Sequence, residues 1–101
     1  MIWCKTYTQG NNSILAIADE DLMNKVFEEG DCILTIGNFY KGELKTKEAI
    51  IELLDKATII NAVGLKSTSL LVEQKIISQE HIQKIGGISH IQILVRSKDT
   101  A

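Results

Sequence analysis

An α+β fold is predicted for this chain. The expected architecture is one small domain with a mixed or mostly antiparallel sheet of about four strands and three helices packed on it. Three observations lead there. β-Prone apolar runs open and close the chain, at residues 2–18 and 88–96. Helix-spaced apolar stripes are segregated between them. The 101 residues are 45% hydrophobic and 24% charged, which suits a single domain with one core.

Residues 2–8 read as a strand, because Trp3, Tyr7 and the threonines favour the pleated state. Gln9, Gly10, Asn11, Asn12 and Ser13 form a turn cluster. Residues 14–18 are apolar on both faces, as a central buried strand should be. The two runs make an N-terminal hairpin. Asp19 then has the character of a helix N-cap, followed by Glu20 and Asp21, which the helix dipole favours. Leu22, Met23, Val26 and Phe27 share a face at helical spacing, and Gly30 suits a left-handed stop. A first helix is therefore expected here.

Residues 32–36 read as the third strand, followed by a loop from Gly37 to Gly42 that carries Phe39 and Tyr40. A second helix is expected over 46–56, with Ile50, Ile51, Leu53, Leu54 and Ala57 as its buried stripe. Residues 58–64 are expected to be a short strand or extended link; a buried turn with helix resuming after it is the alternative. A third helix follows over 65–75. Ser78 caps a short helical piece over 79–84, Gly86 and Gly87 end it, and residues 88–96 form a final strand inside the sheet. Domain boundaries of 1–96 are expected, with a polar tail at 97–101.

Composition narrows function by exclusion. The apolar runs are far shorter than the roughly 20 residues of a membrane span. Residues 1–5 do not read as a secretory signal, so a cytoplasmic location and no membrane partner are expected. Cys4 and Cys32 do not make a disulfide framework and are expected to be small buried hydrophobes. Net charge is −2, divided as −5 over residues 1–55 and +3 over 56–101. One arginine stands against ten lysines. Lysine makes poor bidentate base contacts, so sequence-specific nucleic-acid binding is not expected, while backbone contacts are not excluded.

Candidate chemistry is sparse. Cys4, Cys32, His81 and His90 lack the spacing of a zinc site, so no metal and no cofactor are expected. The acids at 19–21 and 28–29 are explained by capping and a solvated helix end, and no catalytic residue is assigned. The segment Ile85-Gly86-Gly87-Ile88-Ser89-His90-Ile91-Gln92 stands out. If it is extended, His90 and Gln92 point to one face with Ile88 and Leu94. Gly86 and Gly87 are read as conformational, freeing φ between a helix and a strand. Buried polar groups need partners, so Asn61, His90 and Gln92 are expected to satisfy each other, to bond backbone at residues 61–64, or to meet another molecule.

Met1-Ile2-Trp3-Cys4-Lys5, Phe39-Tyr40-Lys41-Gly42-Glu43-Leu44, Ala57-Thr58-Ile59-Ile60-Asn61-Ala62-Val63-Gly64 and the Ile85–Gln92 segment together resemble an archaeal family of small uncharacterised proteins, domain of unknown function 424. Ser89 stands where that pattern often has proline. The resemblance implies an archaeal cytoplasmic protein and no established activity. It concentrates attention on Asn61–Gly64 and Gly86–Gln92.

The binding site expected from these residues is Asn61, Gly64, Gly86, Gly87, His90 and Gln92. The leading expectation is a non-enzymatic binding module associated with translation, meeting a protein or ribonucleoprotein partner. The rival is a small enzyme or ligand-binding domain using His90 with Cys4 or Asn61. A structural homodimer joined through the last strand is the third reading.

Overall fold

The computed structural model describes residues 1–95; Arg96 and the tail at 97–101 lie outside the described residues. Ten elements are arranged along it: β1 (Ile2–Gln9), β2 (Asn12–Asp19), β3 (Val26–Glu29), β4 (Cys32–Thr35), β5 (Glu43–Lys45), α1 (Lys47–Leu54), β6 (Ile59–Val63), α2 (Leu65–Glu73), β7 (Gln83–Ile85) and β8 (Ile88–Leu94). Six strands form one mixed sheet in the order β5-β1-β2-β6-β8-β7, and β3 pairs with β4 in a separate ribbon. The α+β class holds. The expected count does not: among the described residues there are eight strands and two α-helices, against about four and three.

The principal error is the first helix. Residues 20–22 make a single 3₁₀ turn, and 26–29 are a strand paired with 32–35. Gly30 does take a positive φ, +61°. That conformation serves a two-residue hairpin turn as readily as a helix stop, because Glu29 pairs directly with Cys32. The apolar spacing of Leu22, Met23, Val26 and Phe27 is helical but spans only six residues; in the strand Val26 is exposed and Phe27 half-buried, because neighbouring side chains alternate between faces. Residues 32–36 are correspondingly not a third strand of the main sheet. The short helical piece at 79–84 divides into a 3₁₀ turn over Gln79–His81 and the strand β7. The N-terminal turn is also tighter than the five-residue cluster suggests, since Gln9 pairs with Asn12.

Other elements follow the expectation. The Thr46 hydroxyl caps α1 by accepting from the Ala49 N–H at 3.2 Å. Residues 59–63 are a central strand, parallel to β2 and antiparallel to β8. β2 is apolar on both sides because both sides are covered. Leu15 and Ile17 point to the helices, joining Ile60, Ala62 and Ile91 against Ile50, Leu54, Leu70 and Leu71. Ala16 and Ala18 point the other way, where their small side chains let Leu22, Leu34, Ile36 and Tyr40 close down on the sheet. The molecule thus has three layers: two helices, the sheet, and the thin β3–β4 ribbon with the loop that follows it.

Candidate functional site

β8 is extended, and its register fixes where the expected site residues go. Asn61 lies opposite Gln92, and Val63 opposite His90. All three polar side chains therefore project from the ribbon face of the sheet, as alternation requires. Asn61 is 9% exposed, while Gln92 is on the surface. They do not satisfy one another: among the described residues no hydrogen bond joins the three side chains, and His90 Nδ1 is buried without a partner. Burial pushes the imidazole below its ordinary value of 6.5, because desolvation penalises the charged form.

Gly86 and Gly87 are positioned differently from expectation. They are the two-residue turn of a β7–β8 hairpin, closed by Ile85 opposite Ile88, rather than a joint between helix and strand. Their φ values of +58° and +82° are the type I′ pattern. The Gly86 N–H donates to Glu29 Oε1 at 3.0 Å, and a Cβ there would press on Phe27 and the Glu28 carbonyl. These glycines seat the ribbon against the sheet.

Gly64 belongs to a third environment, where the parallel strands β2 and β6 end. Its φ is +104°, and a Cβ would overlap the Asp19 carboxylate. That carboxylate is 6% exposed. It accepts from Lys66 N at 3.0 Å, from Ser67 N at 2.8 Å and from Ser67 Oγ at 2.8 Å. Asp19 is indeed a helix cap, but of α2, reached through space and not along the chain. Beside it, Asp19, Asp21, Gly64, Lys84, Gly87 and Ser89 border a cleft of about 290 Å³. The six expected residues are thus split among a strand-end cleft, a hairpin turn and a sheet face.

The pairing of cysteine with histidine is absent. Cys4 lies on the helix face, in register with Ile17 and Glu43. The order β1-β2-β6-β8 puts His90 three strand spacings away, about 14 Å at 4.8 Å each, and on the opposite face. Burial raises the Cys4 thiol above its ordinary value, with Lys45 opposing and Glu43 reinforcing, so it is held as an inert thiol. Cys32, expected to be buried, is exposed. Among the described residues no three His, Cys, Asp or Glu side chains converge as metal ligands, and no helix is long and apolar enough to cross a membrane.

One surface emerges that residue-by-residue reading did not find. The registers align Tyr7, Ile14, Ile59 and Leu94 in a single row across β1, β2, β6 and β8. The first three are half-buried and Leu94 is 64% exposed. Phe39, 41% exposed, stacks on Tyr7 with ring centroids 5.1 Å apart and meets Tyr40 edge-on. The Tyr7 hydroxyl fixes this loop by donating to the Phe39 carbonyl at 2.8 Å. Lys5 lies 5.4 Å over the Tyr7 ring. The next row holds Lys5, Ala16, Asn61 and Gln92. An apolar shelf with an aromatic end results, bordered by the Lys5 amine and the exposed Gln92 carboxamide, with Asn61 largely buried beside Gln92. Alternation within each strand was legible; the alignment of four strands was not.

Comparison with known proteins identifies the family and the fold. The family model described as a protein of unknown function (DUF424) matches residues 7–95. No curated protein matches the chain. A crystal structure of an uncharacterized conserved protein from Methanopyrus kandleri is similar in fold, with a TM-score of 0.83 and 23% identity over 99% of this chain and 96% of that one.

Proposed function

The chain belongs to this family of proteins of unknown function, and we propose that it works as a non-enzymatic binding module on ribonucleoprotein machinery, specifically that of translation. The observation that carries the reading is the open row of Tyr7, Ile14, Ile59 and Leu94 with Phe39 stacked at its end. Exposed aromatics stack on bases or fill protein pockets. Lys5 supplies a cation, and Asn61 and Gln92 supply paired donors and acceptors along one border. The +3 balance of residues 56–101 supports approach to a polyanion.

The test is sedimentation of lysate on a density gradient at low salt, with native chain and the Phe39→Ala variant. The native chain is expected to travel with ribosomal particles and the variant to stay behind. Native chain found wholly in the free fraction overturns the translation reading.

The rival reading, a ligand site using His90 and Asn61, is supported by the partnerless Nδ1 and by a hollow of about 370 Å³ bordered by His81, Gln83, His90 and Gln92. NMR titration of His90 separates the two. An imidazole whose titration responds to small solutes favours the ligand site; an unresponsive one removes it.

A further inference from the structure

We infer that the exposed edge of β8 pairs with the same edge of a second copy of this chain. The backbone shows where the edge is open. Gly64 N donates to the Ser89 carbonyl at 2.8 Å, and Val95 N to the Thr58 carbonyl at 2.8 Å. In an antiparallel ladder the direction of the N–H and C=O groups alternates residue by residue. Ser89, Ile91, Ile93 and Val95 therefore bond toward β6, while His90, Gln92 and Leu94 face the other way. β7 meets that outer side only from Ile88 to His90. Among the described residues no strand lies beside Gln92 and Leu94, and the hollow next to His81 occupies that place. Two N–H and two C=O groups are left for another strand.

Three features favour a second copy as the occupant. The open stretch, Ile91-Gln92-Ile93-Leu94-Val95, carries no charge and no proline, so like edges do not repel, and shortness is the one protection this edge has. It is self-complementary in phase. A two-fold axis midway between the Ile93 residues of the two copies sets Gln92 against Leu94 of the second copy, and Leu94 against Gln92 of the second copy, matching donors with acceptors at both ends. That pairing also covers Leu94, which is 64% exposed. The axis runs perpendicular to the sheet, so both ribbon faces lie on one side. The Tyr7-Ile14-Ile59-Leu94 row of one chain then runs into the Gln92-Asn61 row of the other. The binding surface becomes a composite of two chains. A contact of five residues per chain is small for a stable interface, so association near about 100 µM is expected and not nanomolar dimerisation.

Sedimentation equilibrium of the full chain, from about 5 to 500 µM, tests this together with amide exchange. The native mass is expected to rise toward twice the chain mass, with the Gln92 and Leu94 amides exchanging more slowly as concentration rises. Leu94→Pro deletes one outward N–H without touching the β6 ladder. Leu94→Lys adds the charge that edges normally carry. Both variants are expected to stay at the chain mass with unchanged melting. A native chain that is monomeric throughout overturns the inference, as does a dimer that persists in a folded variant or leaves those two amides unprotected. The dimer and the translation reading fail separately: a monomer that still travels with ribosomes overturns the dimer alone.

Discussion

Asp19 and His90 are both polar side chains set among apolar neighbours, and the fold treats them in opposite ways. Asp19 accepts three hydrogen bonds and ties the end of β2 to the start of α2. His90 buries a ring nitrogen with no partner, beside an open strand edge. A fully partnered buried group holds a structure together, whereas an unpartnered one is a local expense that the rest of the fold must offset. The strand-end region is therefore built for stability. The β8 region retains unmet polar and apolar capacity, which is what a contact surface has before its partner arrives.

The comparison predicts a hierarchy of effects. Gly64→Ala is expected to be the largest, because the new methyl meets the Asp19 carboxylate and the backbone φ of +104° disfavours any side chain. A loss of about 3 kcal/mol is expected from overlap plus backbone strain, read by urea unfolding. A melting point within a degree or two of the native chain would mean that this junction is looser than described. Asp19→Ala comes next. It leaves two backbone N–H groups and the Ser67 hydroxyl without their acceptor in a buried site. About 2 kcal/mol is expected from loss of a cap and its buried bonds, and the first turn of α2 should exchange its amides faster than the rest of that helix.

The contrasting group, His90, predicts a pH effect. Its folded-state value is depressed by burial, so the unfolded chain binds the proton more readily. Stability from this residue is complete above the ordinary histidine value and is lost as pH falls from there toward the folded value. Melting temperature should therefore decline between pH 8 and pH 5.5, and His90→Leu should reduce that decline while preserving the fold. His81, across the hollow, is exposed and holds its Nδ1 at the Ser78 N–H, so His81→Gln serves as the control. Equal slopes for native chain and His90→Leu would show that the imidazole is not desolvated.

These two regions also differ in how much of them the sequence displays. Local signals were reliable: the start of α1 at Thr46, its apolar stripe, the apolar run at 14–18 and the shared face of His90 and Gln92 are properties of neighbouring residues. What failed needed partners from far along the chain. Asp19 reads as a cap because its chemistry is that of a cap, but the N–H groups it accepts from are 47 and 48 residues away. Gly30 carries a positive φ in either a helix stop or a hairpin turn, and pairing with Cys32 decides between them. β7 is three residues long and borrows its ladder from β8. The apolar row of Tyr7, Ile14, Ile59 and Leu94 exists through three registers that no single segment encodes.

Gln92→Ala gives the smallest stability effect and the sharpest view of that row. Gln92 is exposed, and its carboxamide bonds to no side chain among the described residues. Removing it should change stability by less than about 0.5 kcal/mol, as at surface sites generally. Its backbone bonds are untouched, so edge pairing between two copies should survive. What should weaken is recognition along the polar border shared with Asn61, which lies directly opposite. Loss of ribosomal co-sedimentation in Gln92→Ala with melting preserved would locate function in this face. The same loss accompanied by a lower melting point would place Gln92 among the structural residues with Asp19, and the division between the two regions would fail.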